Sequence, residues 1–100
     1  GSWKINLYTE SKNDKTTAFN GCMLTFEPSG KIIAYKNGEK ITGNWAEDDI
    51  LKRITINLDT DDPALTKLNN YWNISTISKW QMCFKTVNTT KDSQLQITSL

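Results

Sequence analysis

Hydrophobic and polar positions alternate along nearly the whole chain with a period of two residues. Successive side chains of a β-strand leave opposite faces of a sheet, so this period is typical of half-buried antiparallel strands. One phase is uncharged and contains all four tryptophans. Its members are Trp3, Ile5, Leu7, Cys22, Leu24, Phe26, Ile32, Ala34, Ile41, Gly43, Trp45, Ile54, Ile56, Leu58, Trp72, Ile74, Thr76, Trp80, Met82, Phe84, Leu95 and Ile97. We predict that these side chains share one interior.

The alternation divides into eight strand candidates, at residues 3–8, 22–27, 31–36, 40–46, 51–58, 71–77, 80–86 and 94–99. Their joints carry turn residues. Asn37-Gly38 favours a two-residue type I′ hairpin, in which both central residues need positive φ. Pro28 and Gly30 suit a β-turn over residues 27–30. Strands joined in this way pair with their sequence neighbours, which predicts an up-and-down meander.

Two connections are longer. Asp62-Pro63-Ala64-Leu65 is typical of a helix start, with Asp62 accepting from the free amides of the first turn and Pro63 at the first helical position. Leu65 and Leu68 would then share one face of a short helix that ends near Asn69-Asn70 and lies across one end of the sheet. Residues 9–20 are mostly polar, and they form either a helical turn or a flexible loop.

Eight antiparallel strands with an uncharged inner face can close into a barrel, which removes the exposed edge strands. Two packed sheets are the alternative, but an immunoglobulin-like sandwich would use Greek-key connections and a cysteine pair with a tryptophan between them. We predict an all-β chain, an eight-stranded antiparallel up-and-down barrel with one short helix between strands 5 and 6. Residues 1–100 form a single domain.

Composition excludes several classes of partner. The net charge is +1 with acids and bases interspersed, so no nucleic acid or anionic membrane surface is expected as a partner. No apolar run approaches the ~20 residues of a transmembrane segment. The chain begins Gly1-Ser2 without Met, which suggests that a signal segment is absent from this chain after processing or trimming.

Cys22 and Cys83 are the only cysteines. They fall on opposite phases of their strands, which argues against a disulfide because a bridge needs converging Cβ vectors. The alternative to a bridge is two free thiols that behave as small hydrophobic side chains.

Candidate catalytic chemistry is sparse. The chain has no His, and its acidic residues cluster in expected loops, Glu47-Asp48-Asp49 and Asp59-Thr60-Asp61-Asp62. The second cluster lacks the glycine and the distant Glu of a calcium loop. We therefore predict no enzyme activity, no metal and no cofactor. Asn73-Ile74-Ser75 and Asn88-Thr89-Thr90 match the glycosylation triplet, which occurs often by chance.

Several short motifs resemble those of lipocalins. Gly1-Ser2-Trp3 resembles the Gly-x-Trp opening whose Trp packs across the barrel floor. Cys22-Met23-Leu24-Thr25-Phe26 before a Gly turn, Gly43-Asn44-Trp45, and a Leu-rich link before Trp72 resemble the small lipocalin-like domains in secreted lipoproteins of gut bacteria. The resemblance covers almost the full length. It implies a calycin-type barrel in a secreted, periplasmic or cell-surface lipoprotein.

The inward aromatics are the candidate ligand-binding residues, Trp3, Phe26, Trp45, Trp72, Trp80 and Phe84. An eight-stranded barrel is just wide enough to be filled by side chains or to hold one small ligand, so the alternative is a solid core. A void above roughly 300 Å³ would favour a ligand. Because the inward phase lacks Lys and Arg, we expect a neutral apolar ligand, entering past residues 9–20.

The outer face offers a second functional hypothesis. Met23, Ile33 and Tyr35 are apolar on the polar phase of neighbouring strands, and such a patch marks a protein partner or a homodimer unless Phe19 covers it. The sequence thus predicts non-enzymatic binding of a small apolar ligand in the barrel. The alternative is a structural or protein-interaction domain of an envelope lipoprotein with a solid core.

Overall fold

A computed structural model describes residues 1–86 and 92–100, which leaves the triplet at residues 88–90 outside the described residues. In the described part the chain forms nine strands and two 3-10 turns, at Thr16–Phe19 and Leu65–Leu68. The strands are β1 (Ser2–Glu10), β2 (Asn13–Asp14), β3 (Met23–Phe26), β4 (Lys31–Lys36), β5 (Glu39–Asp48), β6 (Arg53–Leu58), β7 (Asn70–Ile77), β8 (Gln81–Thr86) and β9 (Ser93–Ser99).

The strands form one closed antiparallel sheet. From β3 onward each strand pairs with the next, β1 pairs with β3, and β1 also pairs with β9. Strand β2 adds only two residue pairs to the end of β1. The described residues therefore confirm the predicted eight-stranded up-and-down barrel, made of β1 and β3 to β9.

Turn chemistry fixes the hairpins as the sequence predicts. Asn37 and Gly38 have φ values of 52° and 81°, and Lys36 pairs with Glu39 across this two-residue loop. The backbone N–H of Gly30 donates to the carbonyl of Glu27 at 3.0 Å, closing the β3–β4 turn. Both tight turns are confirmed.

The predicted helix between the fifth and sixth barrel strands is a single 3-10 turn, Leu65–Leu68. Asp62 accepts the first free amides as predicted, since one of its carboxylate oxygens accepts the backbone N–H groups of Ala64 (2.9 Å) and Leu65 (3.1 Å). Pro63 does not take the predicted first helical position, because the turn begins at Leu65. Four residues are too few for an α-helix to gain cooperative stability. Burial of Leu65 and Leu68 holds the turn in place instead.

Residues 9–20 take the helical-turn alternative, Thr16–Phe19. The hydroxyl of Thr16 accepts the backbone N–H of Tyr8 at 2.9 Å, and the backbone N–H of Lys15 donates to the carbonyl of Tyr8 at 2.8 Å. These bonds tie the turn to β1. Phe19 is buried as a result.

Two register shifts change which residues of the predicted inward set point into the barrel. One lies between Ile5 and Leu7 in β1 and the other between Ile74 and Thr76 in β7. An extra residue in a strand reverses the side-chain phase beyond it. Leu7 and Thr76 were therefore wrongly predicted to point inward: Thr76 is exposed, and Leu7 lies beside Cys83 on the outer surface.

Candidate functional site: the open end of the barrel

The two ends of the barrel differ because their connections differ in length. Two connections at one end, residues 11–22 and 59–69, are long enough to fold back over the strands. They bring Phe19, Leu65 and Leu68 into the core. Trp72 is fully buried there, and its indole N–H donates to the carbonyl of Leu68 at 2.9 Å. We call this filled half the closed end.

A polar cluster ties the closed end together. The ammonium group of Lys67 donates to the buried carboxylate of Glu10, and this hydrogen bond raises the pKa of Lys67 above its ordinary value. Burial likewise raises the pKa of the Tyr8 phenol. The Glu10–Lys67 contact joins the end of β1 to the Leu65–Leu68 turn, so it has an evident structural role.

The opposite end carries only short hairpin turns in the described residues, at 27–30, 49–52 and 78–80. Of these turns only 27–30 contributes to the lining, through Pro28, of a cavity of about 370 Å³ that opens at this end. Its wall is almost wholly apolar. It is lined by Trp3, Phe26, Pro28, Trp45, Glu47, Ile54, Ile74, Ile77, Met82 and Phe84. We call this half the open end.

One wall of the cavity is rigidly built around Trp45. Its indole N–H donates to the carbonyl of Glu27 at 2.9 Å, and its backbone N–H donates to the carbonyl of Gly30 at 2.9 Å. The ring meets Phe26 edge to face, with centroids 5.4 Å apart and planes at 90°. Because both rings are fixed to the β3–β4 turn, the aromatic wall is formed before any ligand arrives.

Glu47 is the one ionisable side chain among the described lining residues. The sequence placed it in a loop, but β5 continues to Asp48. Glu47 consequently keeps the phase of Gly43 and Trp45, and it lines the cavity from the end of β5. The sequence carries this signal, since Glu47 follows Trp45 by two residues, but the predicted strand ended at residue 46.

The structure brings together four of the six predicted site residues. Trp3, Phe26, Trp45 and Phe84 line the cavity, whereas Trp72 belongs to the closed end. Trp80 is 72% exposed, so its inward prediction is wrong. It precedes β8 in a turn where the hydroxyl of Ser78 accepts the backbone N–H groups of Trp80 and Gln81, and strand phase does not apply there. A ligand contact of the other four stays a prediction.

Ile77 was missed because of the β7 register shift. It pairs with Met82 and lines the cavity although its outer part is exposed. Ile50, Leu51 and Trp80 are also exposed, Ile50 by 91%, and they lie on the two hairpins of the same end. We call these exposed apolar side chains at the open end the apolar rim. Residues 9–20, past which ligand entry was predicted, pack at the opposite end of the barrel from the cavity.

The outer patch is smaller than predicted. Met23 and Tyr35 pair across β3 and β4 and are partly exposed, but Ile33 is only 8% exposed. Phe19 does not cover them, because it packs in the core against Tyr8 with ring centroids 5.0 Å apart. The patch is two side chains wide.

The remaining chemistry-bearing groups lie away from the cavity. Cys22 and Cys83 are both free thiols, and burial raises the pKa of Cys22 to about 11. Within residues 1–86 and 92–100 no three His, Cys, Asp or Glu side chains are grouped to hold a metal ion. In the same residues no helix has the length and apolar character to cross a membrane.

Comparison with known proteins adds evidence on fold. No protein-family model and no curated protein matches the chain. A crystal structure of a DUF4847 family protein from Bacteroides vulgatus is similar, with a TM-score of 0.75 and 14% identity over 98% of this chain and 91% of that one. At this identity the similarity shows the barrel fold alone.

Proposed function

We propose that the protein binds a small apolar molecule at the open end of the barrel, without catalysis. The cavity of about 370 Å³ carries this proposal, since ligand pockets are concave, mostly apolar and larger than roughly 300 Å³. Its volume corresponds to about a dozen waters at roughly 30 Å³ each. A ligand of about ten carbon atoms fits that space.

The two alternatives from the sequence, a filled core and a cavity, apply to different halves. Side chains fill the closed end, and the short turns leave the open end accessible. Phe84 and Ile54 are buried and line the inner part of the cavity, and the apolar rim lies at the same end of the barrel. Burying apolar ligand surface there contributes about 25 cal/mol per Å² before the costs of association.

Calorimetric titration with 1-decanol tests the proposal. We expect a dissociation constant of about 10–100 μM. Ile74→Phe adds bulk inside the cavity and should weaken binding about tenfold, equivalent to about 1.4 kcal/mol. The matched control, Met23→Phe, changes a partly exposed residue on the outer face of β3, away from the cavity, and should leave affinity unchanged. No saturable binding, or equal effects of the two variants, would reject the cavity as the site.

The second candidate function is a protein-interaction domain. Two observations favour it, the apolar rim at Ile50, Leu51 and Trp80, and the exposed pair Met23 and Tyr35. Sedimentation velocity of the wild type and of Trp80→Ser and Tyr35→Ser distinguishes the surfaces. A dimer that only Trp80→Ser dissociates would favour the rim, and one that only Tyr35→Ser dissociates would favour the outer pair.

We further propose that the barrel is lipocalin-like and belongs to a secreted or envelope lipoprotein. Support for this proposal comes from the sequence resemblance in the Gly-x-Trp motifs, whose Trp3 and Trp45 pack against the core, and from Trp72 within the core. Fractionation of cells that express the full-length protein is the test. Recovery in the cytoplasm would contradict it.

A further inference from the structure

We propose that the ligand, if bound as proposed above, is a cationic amphiphile, with an apolar body in the cavity and an ammonium group at the mouth beside Glu47. The proposal rests on the binding function of the same site. It adds the charge of the ligand, which the sequence predicted to be neutral.

The first support is the placement of Glu47. It follows Trp45 on the same face of β5 and pairs with Ile54 of β6, which also lines the cavity. A carboxylate at this position faces whatever protrudes from the mouth. Because Glu47 is exposed, it keeps its hydration when the site is empty and carries no desolvation penalty into the folded state.

The second support is the absence of a compensating cation in the described lining. Lys52 and Lys79 lie on the hairpins of this end, but neither lines the cavity. Asp48 is turned toward its own hairpin, where it accepts the backbone N–H groups of Ile50 and Leu51, each at 3.0 Å. Glu47 therefore sets the charge of the lining.

The third support is the aromatic wall. The indole N–H of Trp45 is already donated to the carbonyl of Glu27, so it is not free for an anionic head group. The rings of Phe26 and Trp45 line the cavity, and cations bind the faces of aromatic rings favourably. Carboxylate and ring faces thus favour the same sign of ligand charge.

Three probes with equal chains test the inference: decyltrimethylammonium, 1-decanol and decanoate, each below its micelle-forming concentration. At low salt we expect the ammonium probe to bind about three- to tenfold more tightly than decanoate, since exposed ion pairs and cation–π contacts are each modest. High salt should reduce that ratio.

Variants of Glu47 test whether this residue causes the preference for the ammonium probe. Glu47→Gln should reduce the preference for the ammonium probe over decanoate by about half or more, because only the ring contacts then favour the cation, and Glu47→Lys should reverse the order in favour of decanoate. The matched control is Glu39→Gln, an exposed residue at the other end of β5, which should leave the order intact. Equal binding of all three probes to the wild type, or a preference of undiminished size in Glu47→Gln, would overturn the inference alone. Binding of none would overturn the binding function as well.

Discussion

Trp72 is the side chain whose removal should destabilise the barrel most. It is fully buried, and its N–H satisfies the carbonyl of Leu68, which ends the 3-10 turn. We expect Trp72→Ala to lower the free energy of unfolding by about 3–5 kcal/mol in urea denaturation. Trp80→Ala is the matched control and should stay within about 0.5 kcal/mol. Comparable losses from both variants would contradict the assignment of Trp80 to an exposed turn.

The cysteines give a second prediction at the residue scale. Cys22 is buried with a pKa of about 11, whereas Cys83 is partly exposed. The reactive species is the thiolate, so iodoacetamide at pH 8 should modify Cys83 and leave Cys22 protected in the native protein. Peptide mapping by mass spectrometry reads the two sites separately. Faster labelling of Cys22 would place it outside the core.

Residue positions could be predicted wherever strand phase is uninterrupted. Trp45 and Phe84 follow that phase and lie in the barrel interior. Leu7 and Thr76 do not point inward, because a register shift before each of them adds one residue to the strand. Neither composition nor a turn residue marks these shifts in the sequence. In β7 the sequence does carry a trace, since an apolar Ile77 follows a polar Thr76 where the phase requires the reverse. Glu47 gives another such signal, because it is a charged residue at a position of the otherwise apolar phase.

At the scale of elements, Asp62 organises the connection between β6 and β7. Its carboxylate accepts two backbone N–H groups and pairs with Lys36 of β4, with a nitrogen–oxygen distance of 3.2 Å. Asp62→Ala should destabilise the protein by about 1 kcal/mol, as loss of a cap does. Asp61→Ala, on an exposed neighbour, should have little effect. Equal losses would show that the cap is not required.

The pKa of Asp62 makes this effect dependent on pH. The backbone N–H of Leu65 is the largest cause that holds it below its ordinary value. A depressed folded-state pKa gives stability that is present at neutral pH and is lost as pH falls below about 4 through the folded value. Urea denaturation at pH 7 and pH 3 should therefore show a smaller acid loss for Asp62→Asn than for the wild type.

Gly43 shows why it was easier to predict that the strands exist than to predict how they pack against each other. A Cβ at this position would lie 2.0 Å from the carbonyl oxygen of Asn57, so only glycine lets β5 approach β6 so closely. The sequence placed Gly43 correctly on the inward phase and did not reveal this contact. The strands themselves follow from alternation and turn residues, which are local. Close approaches between strands depend on the whole barrel and leave no local pattern.

At the scale of the whole molecule, connection length divides the barrel into a closed end and an open end. At the closed end the interior is filled by Phe19, Leu65 and Leu68, which come from the connections at residues 11–22 and 59–69. Short hairpins leave the other end open. Sequence alone predicted closure and the aromatic interior. It did not predict which end stays open, because a long connection can either leave the mouth accessible or fold over it, and burial of Phe19, Leu65 and Leu68 decides between the two.

The most direct test of the two-ended barrel is methyl NMR of the protein titrated with 1-decanol. We expect saturable shifts at Ile54, Ile74, Ile77 and Met82, which line the cavity, and unchanged signals from Leu65 and Leu68 at the closed end. Shifts centred on Leu65 and Leu68, or on the outer Met23, would contradict an open apolar site at the β3–β4, β5–β6 and β7–β8 hairpins.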